Sequence, residues 1–255
     1  MKVVILAGGM GTRLAEETVT RPKPMVEIGN RPIIWHIMKH YAHYGFKEFV
    51  VALGYKGEIM KRYFKDYFCM NGSISVSLSN GKIDVHDAVK EDWLVHLVDT
   101  GLHTNTGERI KRLKQWLGKE TFMLTYGDGV CNVDLKKLLK FHRDSGRLVT
   151  VTAVRPPARF GSLNFTGGDL ITEFVEKPLT GEGWINGGFF VVESAALNYI
   201  NEDVPWESEP LRLIAEAGQL GAYRHDDFWQ CMDTYRELKI LEDHWKSGKA
   251  PWKIW

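Results

Sequence analysis

Short unbroken apolar runs alternate with longer stretches of helical spacing through the first 155 residues. Lys2–Ala7 is one such run, followed by Glu48–Leu53, Trp93–Asp99, Thr121–Thr125 and Leu148–Val154. Runs this short, with no polar alternation, predict strands buried on both faces, as in a parallel sheet. Between them, apolar positions recur three and four apart. That spacing predicts a helix from Pro32 through Tyr41 with Asn30 as its cap. It predicts others over Gly57–Phe68 and Gly107–Leu117, and one capped by Asp134 that runs to about Ser145. Ser73–Ser79 and Lys82–Val85 alternate on either side of Asn80-Gly81, a hairpin signal.

After Pro156-Pro157 the pattern changes. Glycines at 161, 167, 168, 181, 183, 187 and 188 interrupt short strand-like runs, which predicts a small antiparallel lobe. Helical spacing returns over Ser194–Ile200, Glu207–Ala217 and Asp233–Trp245. The expected fold is α/β: a Rossmann-like, mostly parallel sheet with helices on both faces, a small antiparallel lobe and a protruding β-hairpin.

Composition narrows this picture a little. With 255 residues and 44% hydrophobic content, the chain can bury one substantial core. A formal net charge of +1 gives no bulk field for holding a polyanion, so nucleic acid is not an expected partner. No apolar stretch reaches the roughly 20 residues of a membrane span, and the start does not read as a signal peptide. Cys69, Cys131 and Cys231 are odd in number and widely spaced, which fits reduced thiols and a cytoplasmic protein.

The candidate chemistry lies in the loop after the first strand. Ala7-Gly8-Gly9-Met10-Gly11-Thr12-Arg13 lets backbone N–H groups approach an anion, and Arg13 adds a fixed charge. Further on, Arg21-Pro22-Lys23-Pro24 holds a second cation between two prolines. Together they predict a polyphosphate site. Walker A spacing is absent, and the dinucleotide fingerprint fails because Leu14 stands where a third glycine is needed. Nor does an Asp or Glu close a second strand about 20 residues on, where a ribose partner would be expected. Asp128, between Gly127 and Gly129 at a strand end, is a candidate metal ligand.

These blocks resemble the nucleotidylyltransferases that activate sugar 1-phosphates. The resemblance continues through Pro24–Gly29, Gly54-Tyr55-Lys56, Tyr126-Gly127-Asp128-Gly129, Glu176-Lys177-Pro178, Ile185-Asn186-Gly187-Gly188 and Phe228–Thr234, and so covers essentially the whole chain. Tyr-Gly-Asp-Gly-Val, Trp-x-x-Met-Asp-Thr and the Ala250-Pro251-Trp252-Lys253 tail are closest to the cytidylyltransferase branch. The resemblance implies CTP and α-D-glucose 1-phosphate as substrates, Mg²⁺ as cofactor, CDP-glucose and pyrophosphate as products, and a homo-oligomer, a hexamer in the family. In the family this step feeds dideoxysugars for surface polysaccharide, including lipopolysaccharide O antigen. UTP or dTTP in place of CTP, or a non-catalytic nucleotide sensor, are the alternatives.

It also implies roles. Leu6, Ala7, Gly8, Gly9, Met10, Gly11 and Thr12 hold the nucleotide, with Thr104, Arg109 and Gly127. Arg13 is expected on the β- and γ-phosphates, Lys23 at the α-phosphate, and Asp128 with Asp233 on the metal. Glu176, Lys177, Asn186 and Gly187 are expected on the sugar phosphate. Arg109 is a candidate donor to the base, although Gly107-Glu108-Arg109 stands where the branch has Gly-Gly-Arg. One domain over 1–255 is expected: residues 1–155 mainly for nucleotide, 156–233 mainly for sugar phosphate, and 234–255 as helix and tail.

Two features read as packing. His36, His40 and His43 share a helix face, but no carboxylate partners them there. Trp245, Trp252 and Trp255 are expected either to fold onto their own domain or to dock on another subunit.

Overall fold

A computed structural model describes residues 1–88, 91–156, 162–165, 171–175 and 183–255. Among these, seven strands form one sheet: β1 (Lys2–Ala7), β2 (Glu48–Leu53), β3 (Leu94–Asp99), β4 (Phe122–Tyr126), β5 (Val149–Val154), β6 (Ile185–Val192) and β7 (Leu220–His225). Their spatial order is β7-β5-β6-β4-β1-β2-β3. β1 pairs in parallel with both β2 and β4, and β2 with β3, so the carboxyl ends of these four point the same way. β6 runs antiparallel to β4 and β5, which makes the sheet mixed but mostly parallel. The chain moves outward from β1 to β2 and β3, then returns to place β4 on the other side of β1. The carboxyl ends of β1 and β4 therefore flank a topological switch point, the usual place for a ligand in such sheets.

Six principal helices accompany the sheet: α1 (Ile33–His43), α2 (Gly57–Met70), α3 (Thr106–Arg112), α4 (Leu135–Ser145), α5 (Glu209–Glu216) and α6 (Tyr235–Lys246). Two apolar clusters lie on the two sheet faces. Val3, Ile5, Phe49 and Val51 belong to one with α1, and Val4, Leu6, Val50 and Leu124 to the other with Ile110 and Trp206. Alternate residues of β1 and β2 thus serve opposite faces, which explains their lack of a polar side.

The expected Asn30 cap is not what forms. Gly29 and Asn30 have φ of 59° and 63°, so they make the turn of a small hairpin joining Glu27–Ile28 to Arg31–Pro32. Two consecutive positive φ values define a type I′ turn, and Gly-Asn suits it. Helix α1 starts later, after an extended Pro32. The segment expected as one helix over Gly107–Leu117 divides into α3 and a second, four-residue helix at Lys114–Leu117. Helix α6 is capped by Thr234, which forms a capping box with Glu237, so the side chain of Asp233 is free for other partners.

The Ser73–Val76 and Ile83–His86 strands form their own two-stranded sheet, and Ser162–Phe165 pairs with Ile171–Val175. The segment expected within the lobe at Ile185–Gly188 instead begins β6, inside the main sheet.

The histidines and the tryptophan tail pack together. Trp252 Nε1 donates to His36 Nδ1, and the opposite nitrogen of that ring faces the Ile28 carbonyl at 2.9 Å. Trp252 is fully buried, stacked near Phe228 and Trp245, so the tail folds onto its own chain. Burial lowers the pKa of both His36 and His40 to about 4. His40 Nε2 faces the Val133 carbonyl at 2.8 Å, whereas its Nδ1 is buried without a hydrogen-bond partner. Cys131 is buried as a filler, and desolvation pushes its thiol pKa up.

Candidate active site

A basin of about 400 Å³ opens over the carboxyl ends of β1 and β4. Its floor is the loop after β1. Gly11 adopts φ +64°, where a Cβ would stand 2.8 Å from Thr18 Cγ2 and 3.1 Å from Lys23 Cβ, so glycine is required twice over. Thr18 Oγ1 donates to the Gly11 and Leu14 carbonyls, and fully buried Leu14 pins the loop to the core. Gly9 is exposed, with open space where its Cβ would be. Leu6, Ala7, Gly8, Gly9 and Gly11 line the basin; Met10 and Thr12 are in the same loop but outside that lining.

The cations and carboxylates meet at one end. Pro22 is extended, and the tight turn Lys23–Met25 carries Lys23 inward, where it is 8% exposed. Pro24 packs so closely on the β4 loop that a Cβ on Gly127 would lie 2.8 Å from its ring. Lys23 Nζ donates to Asp128 Oδ2 at 2.6 Å and to Asp233 Oδ1 at 2.5 Å. Burial works against the ammonium, yet the two carboxylates hold its pKa above the ordinary lysine value. Arg13 Nη1 donates to Asp233 Oδ2 at 2.6 Å, while the rest of its side chain stays in solvent.

Short antiparallel pairing brings Asp233 to this point. Residues Trp229–Cys231 pair with Gly129–Cys131, and Met232 N donates to the Asp128 carbonyl at 2.8 Å. Both carboxylates contact one ammonium, so they are close enough to share a small cation. Mg²⁺ commonly takes one or two carboxylates and completes its octahedron with water and phosphate oxygens, and this pair fits that demand. Among the described residues no group of three or more His, Cys, Asp or Glu is arranged to hold a metal alone.

At the other end, Arg109 does something the sequence did not reveal. It is 3% exposed, and its two terminal nitrogens donate to Leu53 O, Thr100 Oγ1, Gly101 O, Gly8 O and Leu102 O at 2.6–3.2 Å. One guanidinium therefore ties together the loops after β1, β2 and β3. Gly8 and Gly54 leave room for it, since a Cβ on either would fall 2.4–2.6 Å from the guanidinium. Arg109 still borders the basin beside Thr104. The expected donation to a base would have to come from its remaining Nε–H or displace one of these bonds. Glu108 does not line the basin; it pairs with Arg112 Nε at 3.0 Å.

Among the lining residues, Pro205 and Glu207 lie outside every motif block of the sequence, and Tyr126 lies within the acidic-loop block but had no expected role. The Tyr126 hydroxyl donates to Glu207, and burial together with that carboxylate raises its pKa far above the usual tyrosine value. Asn186 Nδ2 approaches Tyr126 OH at 3.5 Å, and Gly187 O accepts from Trp229 Nε1 at 2.7 Å. With Asp128, these residues edge a smaller cleft of about 40 Å³. Glu176 and Lys177 lie outside the described residues.

Comparison with known proteins identifies the family. The nucleotidyl transferase family model matches residues 2–232. The chain is 47% identical over 257 residues to glucose-1-phosphate cytidylyltransferase of Salmonella typhimurium, covering 100% of both. It is 42% identical over 257 residues to a probable glucose-1-phosphate cytidylyltransferase of Bacillus subtilis, again covering 100% of both. The crystal structure of HddC from Yersinia pseudotuberculosis superposes with a TM-score of 0.68 at 23% identity, covering 96% of this chain and 99% of that one, a likeness of fold.

Proposed function

The chain belongs to the nucleotidyl transferase family, and from that premise we propose that it transfers a cytidylyl group from CTP to α-D-glucose 1-phosphate. Full-length identity to glucose-1-phosphate cytidylyltransferases carries this reading, and the cationic and acidic cluster at the switch point supports it.

A phosphate oxygen of glucose 1-phosphate attacks the α-phosphorus of CTP. A new P–O bond forms as the α–β bridging P–O bond breaks, and the electron pair leaves on pyrophosphate. Because the second pKa of a phosphate monoester is about 6, the nucleophile is already ionised at neutral pH and needs no general base. What the site must provide is alignment and charge neutralisation. The open N–H groups of the Gly8–Gly11 loop take the triphosphate. Arg13, exposed to solvent apart from its bond to Asp233, holds the leaving β- and γ-phosphates with its planar fork. Lys23 counters charge that builds at the α-phosphate. Asp128 and Asp233 would hold Mg²⁺, which supplies polarisation of the phosphoryl oxygens when bound. Asn186 and Gly187, with Glu176 and Lys177, receive the sugar phosphate.

On the family resemblance we extend the proposal to a homo-oligomer working in the cytoplasm, with CDP-glucose passing to surface-polysaccharide synthesis. Residues 1–155 then serve mainly nucleotide and 156–233 mainly sugar phosphate. Among the described residues no helix is long and apolar enough to cross a membrane.

Pyrophosphate release with glucose 1-phosphate and Mg²⁺, offering CTP, UTP, dTTP, ATP and GTP separately, tests the reading. Release with CTP is expected. Release only with another base moves the specificity, and silence with all five from folded protein contradicts the proposal.

A further inference from the structure

A ribose partner is missing from its usual place after the second strand: β2 ends at Leu53 and continues as Gly54-Tyr55-Lys56. We propose that Glu207, from a loop some 150 residues away, takes that role, accepting hydrogen bonds from the ribose hydroxyls of the bound nucleotide. This rests on the nucleotidyl-transfer reading above.

Of the described residues lining the basin, Asp128 and Glu207 carry carboxylates. Asp128 is engaged by Lys23 at the phosphate end. Glu207 stands between the two ends. Its Oε2 accepts from Thr106 Oγ1 at 2.8 Å, at the start of α3, the helix whose Arg109 holds the Gly8 carbonyl. Its Oε1 accepts from the hydroxyl of Tyr126, the residue before Gly127-Asp128. The part of a nucleotide that joins base to phosphates is the ribose, and Glu207 spans that interval.

The chemistry fits. An ionised carboxylate has about four lone-pair sites. One protein hydroxyl on each oxygen leaves an acceptor on each, and the side chain is exposed toward the basin. Two vicinal hydroxyls are two adjacent donors of matching spacing. A phosphate is excluded here by like charge.

The carboxylate is also held in place. Asn105 N and Nδ2 donate to Asp203 Oδ1 and O at 2.8 and 2.9 Å, and Gly107 N donates to Val204 O at 3.1 Å. Trp206 N donates to Thr106 Oγ1 at 2.8 Å, and its ring is fully buried. A loop laced this tightly to α3 presents a preorganised acceptor.

The test compares CTP with 2′-deoxy-CTP and 3′-deoxy-CTP in the wild type, Glu207→Gln and Glu207→Ala, reading kcat/KM from pyrophosphate release. The wild type should favour CTP over either deoxy analogue by about 10–100-fold, the range for losing a hydrogen bond to a charged group. Glu207→Ala should lower kcat/KM for CTP at least about tenfold and for each deoxy analogue by less, only the part owed to its one remaining hydroxyl, so the ratio collapses. Glu207→Gln keeps the shape and should fall between, which guards against a misfolded alanine variant. A parallel fall with all three nucleotides overturns the proposal. So does a wild type indifferent to the hydroxyls, or an effect confined to the CTP:UTP ratio or to KM for glucose 1-phosphate. Should the wild type turn over no nucleotide, the transfer reading fails on its own; calorimetric binding of CTP against 2′-deoxy-CTP then decides the role of Glu207 by the same ratio.

Discussion

The ammonium of Lys23 lies 2.5 Å from Asp233 Oδ1, although 210 residues separate the two in the chain. Asp233 is available because Thr234, not Asp233, caps the following helix. Lys23 is available because flanking prolines fix its entry and Pro24 rests on Gly127. The same ammonium sits on the carboxylates proposed to hold Mg²⁺, so under that proposal ion and lysine compete for one seat.

Lys23→Met should therefore lower kcat by about 10²-fold or more, the scale for removing an electrostatic donor from a transition state. It should also leave Asp128 without its ammonium and Asp233 held by Arg13 alone. Thermal unfolding with and without Mg²⁺, in the absence of nucleotide, should show a larger upward Tm shift for the variant than for the wild type. An equal shift in both would show that the lysine does not hold the metal seat.

Gly8→Ala and Gly9→Ala should part company. The first places a Cβ 2.4 Å from the buried Arg109 guanidinium, whereas the second meets open space. Tm should fall by several degrees for Gly8→Ala and by little for Gly9→Ala, corresponding to about 2 kcal/mol for overpacking a tight site.

Arg109→Lys is not conservative here. An ammonium has three donors, and Arg109 serves five acceptors from three loops. Urea unfolding should show a loss on the order of 2–4 kcal/mol, as buried carbonyls lose their partners. KM for CTP should rise even where the protein remains folded at assay temperature. A variant with wild-type stability and nucleotide KM would contradict the tie between the loops.

Glu108→Gly should leave the CTP:UTP preference within about twofold, because the carboxylate pairs with Arg112 outside the basin lining. A competition assay with both nucleotides present reads this directly, and a marked swing toward either base would place Glu108 in the base pocket.

The buried histidines set an acid limb for stability. His36 and His40 have folded pKa values near 4 against 6.5 for the free side chain. The unfolded chain therefore binds more protons between these values, and stability falls as pH drops from about 6.5 toward 4. Above about 6.5 the contribution is fully present. Each group accounts for up to about 3 kcal/mol across that window. Urea midpoints at pH 7.5, 6, 5 and 4 should decline accordingly, and less steeply in His40→Asn, whose unpartnered Nδ1 is no longer there to protonate.

Much of this was legible because it is written locally. The apolar runs of β1 and β2 alternate between two buried faces, and a glycine loop followed by cations can be read without knowing the fold. Asp128 was visible between its glycines. Asn30 misled because Gly29-Asn30 satisfies a type I′ turn as well as Asn satisfies a helix cap, and the pairing of Glu27 with Pro32 decides between them. Glu207 and Arg109 were not readable for what they touch. Their partners come from α3 and from the ends of β1, β2, β3 and β4, and the sheet order brings those strand ends together. Arg109 illustrates the cost of reading a charge by type: a cation beside an expected ligand spends its terminal donors on backbone carbonyls.

The most direct measurement is the product itself. CTP, glucose 1-phosphate and Mg²⁺ are incubated with the wild type and with Asp233→Asn, and CDP-glucose and pyrophosphate are quantified by mass spectrometry and a coupled assay. Equal amounts of both products from the wild type are expected, with a rate at least about 10²-fold lower in the variant. Absence of CDP-glucose from the folded wild type, or an undiminished rate in Asp233→Asn, would contradict the assignment of cytidylyl transfer to the Lys23–Asp128–Asp233 centre.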